Sequence, residues 1–120
     1  MKEVFLTIGC NSLDESREFY QNLLGFTLER EFAPGPDIRI AFLKRPDLKI
    51  ELVERGDMML PGNDQSSLTI TVTVDDLAPV EQKLQTTGCA LPERATLPNG
   101  MELIRFQDPD GVNISVIKDV

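Results

Sequence analysis

The chain has 120 residues, 41% of them apolar and 27% charged, which is the composition of one compact globular domain. Its net charge of −8, with Lys and Arg scattered and no cationic run longer than Lys44-Arg45, excludes a nucleic-acid-binding face, which needs clustered cations. No apolar run approaches the ~20 residues of a membrane span, and the opening Met-Lys-Glu-Val lacks a signal-peptide core. Cys10 and Cys89 stand alone, without CxxC spacing, and the chain has no His to act as a partner base. They read as reduced, buried thiols of a cytoplasmic protein.

A first strand is expected over 4–10. Ser12 and Glu15 then form a capping box, and Leu13, Phe19, Tyr20, Leu23 and Leu24 recur at helical spacing. Gly25 supplies the left-handed cap that ends this helix. Strands follow over 27–32, 38–44 and 49–53, separated by Ala33-Pro34-Gly35-Pro36 and Arg45-Pro46-Asp47. Polar and small residues from Glu54 to Ser67 read as a connection, with the linker proper over 57–66. A strand over 68–74 precedes a second helix over 77–87, with Asp75 or Asp76 as N-cap and Pro79 in the first turn. The last strands are expected over 91–96, 102–107 and 112–117, joined by Pro98-Asn99-Gly100 and Asp108-Pro109-Asp110-Gly111.

The chain therefore says the same thing twice. Phe5 and Thr69, Gly25 and Gly88, and Glu51 and Ser115 are landmarks at an offset of 63 or 64 residues. Such a period fixes architecture before detail. The expected fold is α+β: two tandem β-α-β-β-β modules (1–56 and 67–120) whose curled mixed sheets enclose a cavity, with any site where the copies face each other.

Alternation within the strands separates two faces. Val4, Leu6, Ile8, Ile50, Leu52, Ile70, Val72, Ile114 and Val116 form the apolar set that belongs under the helices. Opposite them lie Phe5, Thr7, Glu51, Thr69, Thr71, Thr73, Asn113 and Ser115. Two readings of this second face stay open: a solvated surface with Thr chosen for its β propensity, or a shielded cavity lining that suits uncharged hydroxyls.

Two motifs are the most specific signals. Ser16-Arg17-Glu18-Phe19-Tyr20 with Leu23-Leu24-Gly25-Phe26 is one, and Asp108-Pro109-Asp110-Gly111-Val112-Asn113-Ile114 is the other. In this order, within the repeat, they make the whole chain resemble the vicinal oxygen chelate superfamily of glyoxalase I, extradiol dioxygenases and bleomycin-resistance proteins. That resemblance implies the two-module fold, a small-molecule site and a homodimer. It also implies four metal-ligand positions, which fall here on Phe5, Glu51, Thr69 and Ser115. Only Glu51 keeps a ligand side chain, and a transition-metal site needs three or four imidazole, carboxylate or thiolate donors around one point. Glu29, Glu31 and Glu102 are the nearby carboxylates, and no spacing recruits them. The expected site therefore has no metal and no cofactor.

The leading functional expectation is a small-molecule binding protein of the bleomycin-resistance kind. It would hold a drug or metabolite by ring contact from Phe5 and Phe42 and polar contact from Thr7, Glu51, Thr69, Thr71, Asn113 and Ser115. An acidic pocket centred on Glu51 favours a cationic or hydrogen-bond-donating ligand. Plainer roles remain open: Phe5 as core, and Glu51 paired with Lys49 or Arg105. The alternative function is a glyoxalase- or dioxygenase-like enzyme with an atypical site, Glu51 acting as general base.

Overall fold

The computed structural model describes residues 2–56, 67–88 and 90–119. The chain divides into two compact units, Met1–Pro61 and Gly62–Val120, while the linker expected over 57–66 lies outside the described residues. No helix among those residues is long and apolar enough to cross a membrane.

In the first unit, β1 (Leu6–Cys10) leads into α1 (Leu13–Asn22), followed by β2 (Thr27–Gly35), β3 (Ile38–Arg45) and β4 (Leu48–Arg55). Ser12 starts the helix as the sequence predicts: its backbone is extended and its Oγ accepts from the Glu15 N–H at 3.2 Å. Gly25 takes φ +74°, where a side chain would be strained, and turns the chain back so that the Phe26 N–H donates to the Tyr20 carbonyl at 3.0 Å. The sheet order is β1-β4-β3-β2. The α1 crossover makes β1 parallel to β4, and the tight turns make the other pairs antiparallel. Ile8, Cys10, Ala41, Leu43, Ile50 and Leu52 form one buried layer, and Leu13, Tyr20, Leu23 and Leu24 the other. Tyr20 has no exposed surface and meets Phe19 and Phe26 edge-on, at 5.2 and 5.7 Å between ring centroids.

The second unit repeats the order: β5 (Thr69–Val74), α2 (Ala78–Thr86), β6 (Ala95–Thr96), β7 (Glu102–Gln107) and β8 (Asn113–Lys118), with sheet order β5-β8-β7-β6. Leu77, Val80 and Leu84 of the helix segment are buried, as are Ile104, Ile114 and Val116 of the strands. Arg94 bonds both to Glu81 of α2 and to Glu102 of β7, which ties the helix to the Ile104 side of its sheet. The second motif is a turn organised by its own first residue. The Asp108 carboxylate, 5% exposed, accepts from the Asp110 and Val112 N–H groups, both at 2.8 Å, while Gly111 takes φ +85°.

The main departures from the sequence expectation are five. β1 starts at Leu6, not Val4, and Val4 and Leu6, expected in the set under the helices, are exposed, because the pairing with β4 begins only at Leu6. β2 does not stop at Phe32 but runs through Ala33-Pro34 to Gly35, with an irregular register after Phe32. It is an edge strand, so Pro34 can be tolerated there despite lacking an N–H. β4 continues to Arg55, which places Glu54 in the sheet instead of the connection. β6 shrinks from the expected 91–96 to two residues: Pro92 cannot donate to a ladder, and Arg94 is committed to Glu81 and Glu102. The N-cap of α2 is Leu77, without a side-chain bond, not Asp75 or Asp76; Asp76 still accepts from the Ala78 N–H at 3.2 Å.

Candidate functional site

Parity along the strands decides which side chains share the face turned away from α1. Thr7 stands opposite Glu51, Glu51 opposite Phe42, and Phe42 opposite Arg30, so one row crosses all four strands of the first unit as Thr7–Glu51–Phe42–Arg30. At its β1 end the Thr7 hydroxyl donates to Glu51 Oε1 at 2.7 Å. Among the described residues, Glu51 is not paired with Lys49. Lys49 instead meets Glu29 at 3.3 Å and Glu3 at 3.4 Å. Desolvation works against the Lys49 charge, but these hydrogen bonds outweigh it and hold its pKa above the ordinary lysine range.

Aromatic rings fill the middle of the face. Phe5, just before β1 and about one-third exposed, meets Phe42 edge-on with centroids 5.4 Å apart. Phe32 lies nearly parallel to Phe42, 17° between planes and 6.3 Å between centroids. Two cations approach these rings. Lys49 Nζ is 4.9 Å from the Phe42 centroid, and the Arg30 guanidinium carbon is 4.9 Å from Phe42 and 5.0 Å from Phe32. Phe5, Thr7, Phe42 and Glu51, the four candidates of the first unit, are therefore brought together on one face.

Thr69, Thr71, Asn113 and Ser115 are likewise brought together on one face of the second sheet, because Thr69 stands opposite Asn113 and Thr71 opposite Ser115. Their availability differs. Thr69 and Thr71 are exposed, whereas Ser115 is 6% exposed, too enclosed for an open contact surface. Asn113 is already engaged, accepting from Gln107 Nε2 at 3.2 Å and donating to the Leu68 carbonyl at 3.4 Å.

Arg30 and Phe32 were absent from the sequence-based candidates. Regular pairing from Thr27 opposite Lys44 and Leu28 opposite Leu43 would have placed Glu29 against Phe42. A bulge inserts one residue and places Arg30 there. The face carries a cation where strand parity would have put a carboxylate, and no sequence period announces the extra residue.

Among the described residues, no group of three or more His, Cys, Asp or Glu side chains could hold a metal ion. The four positions that the resemblance implies as metal ligands, Phe5, Glu51, Thr69 and Ser115, carry a phenyl ring, a carboxylate and two hydroxyls. That donor set does not fit a transition-metal site.

None of the curated proteins matches the chain significantly. Solved structures do. A glyoxalase family protein from Enterococcus faecalis is 20% identical over 97% of each chain, with a TM-score of 0.76. A glyoxylase/bleomycin resistance protein/dioxygenase domain from Frankia is also 20% identical, over 98% of this chain and 91% of that one, at 0.78. A glyoxalase I variant from Zea mays reaches 0.79 at 20% identity, with this chain covering 44% of its length. At such identities the likeness establishes the fold alone. The family model spans residues 4–116, and by that match the chain belongs to the Glyoxalase/Bleomycin resistance protein/Dioxygenase superfamily.

Proposed function

We propose that this chain binds a small organic molecule on the aromatic and polar face of its first unit, without a metal ion, and sequesters it without transforming it. The observation that carries this reading is the company Glu51 keeps: a hydroxyl donor, Thr7, at 2.7 Å on one side and the Phe42 ring in register on the other. A carboxylate held at the edge of an aromatic platform suits a ligand with an apolar body and one donor group, cationic or neutral. No second acid accompanies Glu51 in this row, which favours binding over acid–base catalysis. Thr69 and Thr71 remain proposed polar contacts of the second unit. The functional form is proposed to be a homodimer in the cytoplasm, where the buried Cys10 thiol would stay reduced.

The test is a thermal-shift screen of drugs and metabolites on the wild type, followed by titration of each hit against Glu51→Gln. The amide keeps the shape and can still accept from Thr7, so the fold should survive. Losing a charge-assisted hydrogen bond of ~1.5–3 kcal/mol should weaken the hit about tenfold to a hundredfold. Equal affinity for both proteins would remove Glu51 from the site. One equivalent of a transition metal per chain, found in protein purified without chelator, would end the metal-free reading.

A further inference from the structure

Charge is unevenly distributed around the Phe42 ring. Two cations stand 4.9 Å from its centroid, Lys49 and Arg30. Lys49 has two carboxylate partners, Glu3 and Glu29. Arg30 has none among the described residues, and neither do Arg55 and Arg105, whereas Arg17, Arg39, Arg45 and Arg94 each meet at least one. Its position is nevertheless well defined, because the guanidinium lies against Phe32 and Phe42 together, and those rings are held nearly parallel. Contact with aromatic faces uses the guanidinium as a cation but leaves its in-plane N–H donors without acceptors. A planar, preorganised fork of that kind matches a carboxylate in bidentate geometry and loses little freedom on binding it.

We infer that Arg30 anchors a carboxylate of the ligand, and that the molecule bound on this face is amphoteric: an anionic group at Arg30, an apolar or aromatic body against Phe5 and Phe32, the exposed rings beside the buried Phe42, and a donor group at Glu51. This deepens the proposed function and rests on it. The register sets the length of such a molecule, since Arg30 and Glu51 stand on strands two apart, about 10 Å between backbones. A purely cationic ligand would meet Glu51 but would also face the unneutralised Arg30. A carboxylate at the other end removes that conflict and supplies the counter-charge the guanidinium lacks.

Three probes of one shape test this: para-hydroxyphenylpropionate, its methyl ester, and tyramine, each titrated to about 10 mM by amide NMR, a range that covers weak fragments. The variants are Arg30→Gln and Arg30→Lys, both at an exposed position. The acid should shift the amides of Arg30, Phe42 and Glu51 and bind about tenfold more tightly than the ester. Arg30→Gln should abolish that preference without weakening the ester, and Arg30→Lys should retain part of it. Equal binding of acid and ester, or an acid affinity unchanged by Arg30→Gln, would overturn the anchor while leaving the face as a binding site. Tyramine binding more tightly than the acid would overturn it in favour of a cationic ligand. If no probe shifts these amides, the face itself fails, and the inference fails with it.

Discussion

Glu54→Ala should destabilise the first unit more than any other single carboxylate change on its strands. Glu54 follows Ile50 and Leu52 on the helix-facing side of β4, and its Oε2 accepts from the Leu13 N–H at 2.7 Å. That N–H is one of the first-turn donors of α1 that have no partner within the helix, and Leu13 itself has no exposed surface. Removing the acceptor forfeits a charge-assisted hydrogen bond and the favourable placement of an anion at a helix N-terminus. With partial access of water to the freed donor, the cost is about 2 kcal/mol. Arg39, 3.9 Å away and partly exposed, adds little. At about 4 °C per kcal/mol for a chain of this size, Glu54→Ala should melt about 8 °C below the wild type. Glu54→Gln keeps an acceptor of the same shape and should lose less than half as much. Glu51→Gln is the matched control, because it makes the same change in a net charge of −8 while touching no helix terminus. Hydrogen exchange at Leu13 gives the local readout and should accelerate in Glu54→Ala. A melting temperature within about 2 °C of the wild type, with Leu13 exchange unchanged, would refute the cap.

Asp108→Ala should cost about 2 kcal/mol in urea unfolding, because it strands the Asp110 and Val112 N–H groups in a buried turn, whereas Asp108→Asn should cost well under half of that. Acid should weaken the fold in a defined direction. A hydrogen bond from Arg94 holds Glu81 below its ordinary 4.5, and one from Arg39 holds Asp14 below its ordinary 3.8. Depressed carboxylates contribute stability that is present above those values and lost as pH falls through the lower folded-state ones. Melting temperature should therefore decline below about pH 4.5, and the decline should be shallower in Arg94→Gln; an identical profile would show that this ion pair contributes nothing. Light scattering at micromolar concentration should return the mass of a dimer, since β1 and β2 are unpaired edges within their own sheet and Val4, Leu6 and Leu68 are exposed apolar side chains; a monomer mass would refute it.

The repeat and the placement of most strands and both helices were legible because periodicity reports them directly. Ser12, Gly25, Gly100 and Gly111 mark their turns with residue types whose backbone needs are specific, and each glycine takes the positive φ its turn demands. The face assignment of Thr7, Glu51, Thr69 and Thr71 followed from parity alone, and the register agrees. Illegible features arise where a tertiary partner overrides a local rule. Glu54 looks like the start of a polar connection, yet the period that carries Ile50 and Leu52 under α1 carries Glu54 there too, and the helix terminus is what makes a carboxylate acceptable at that depth. Leu91 and Pro92 looked like strand, yet Arg94 bridges Glu81 and Glu102 and leaves only two residues to pair.

The bulge in β2 has the largest consequence for function. Strand parity assumes one residue per rung, so a single inserted residue inverts the sign of the charge opposite Phe42, from Glu29 to Arg30. Read by parity, the face is acidic, with Glu51 and Glu29 flanking a ring, and calls for a cation. With the bulge, Glu29 turns to neutralise Lys49, and Arg30 stands beside Phe42 without a carboxylate partner among the described residues. The same composition therefore specifies a different ligand according to one backbone irregularity. Exchanging the two side chains, Glu29→Arg with Arg30→Glu, would put the carboxylate opposite Phe42 without changing the composition. If the register sets specificity, that exchange variant should lose the preference for the acid probe over its ester while still folding, as judged by the amide spectrum. An exchange variant that kept the preference would show that a cation reaches the site from the neighbouring position and that the bulge is incidental.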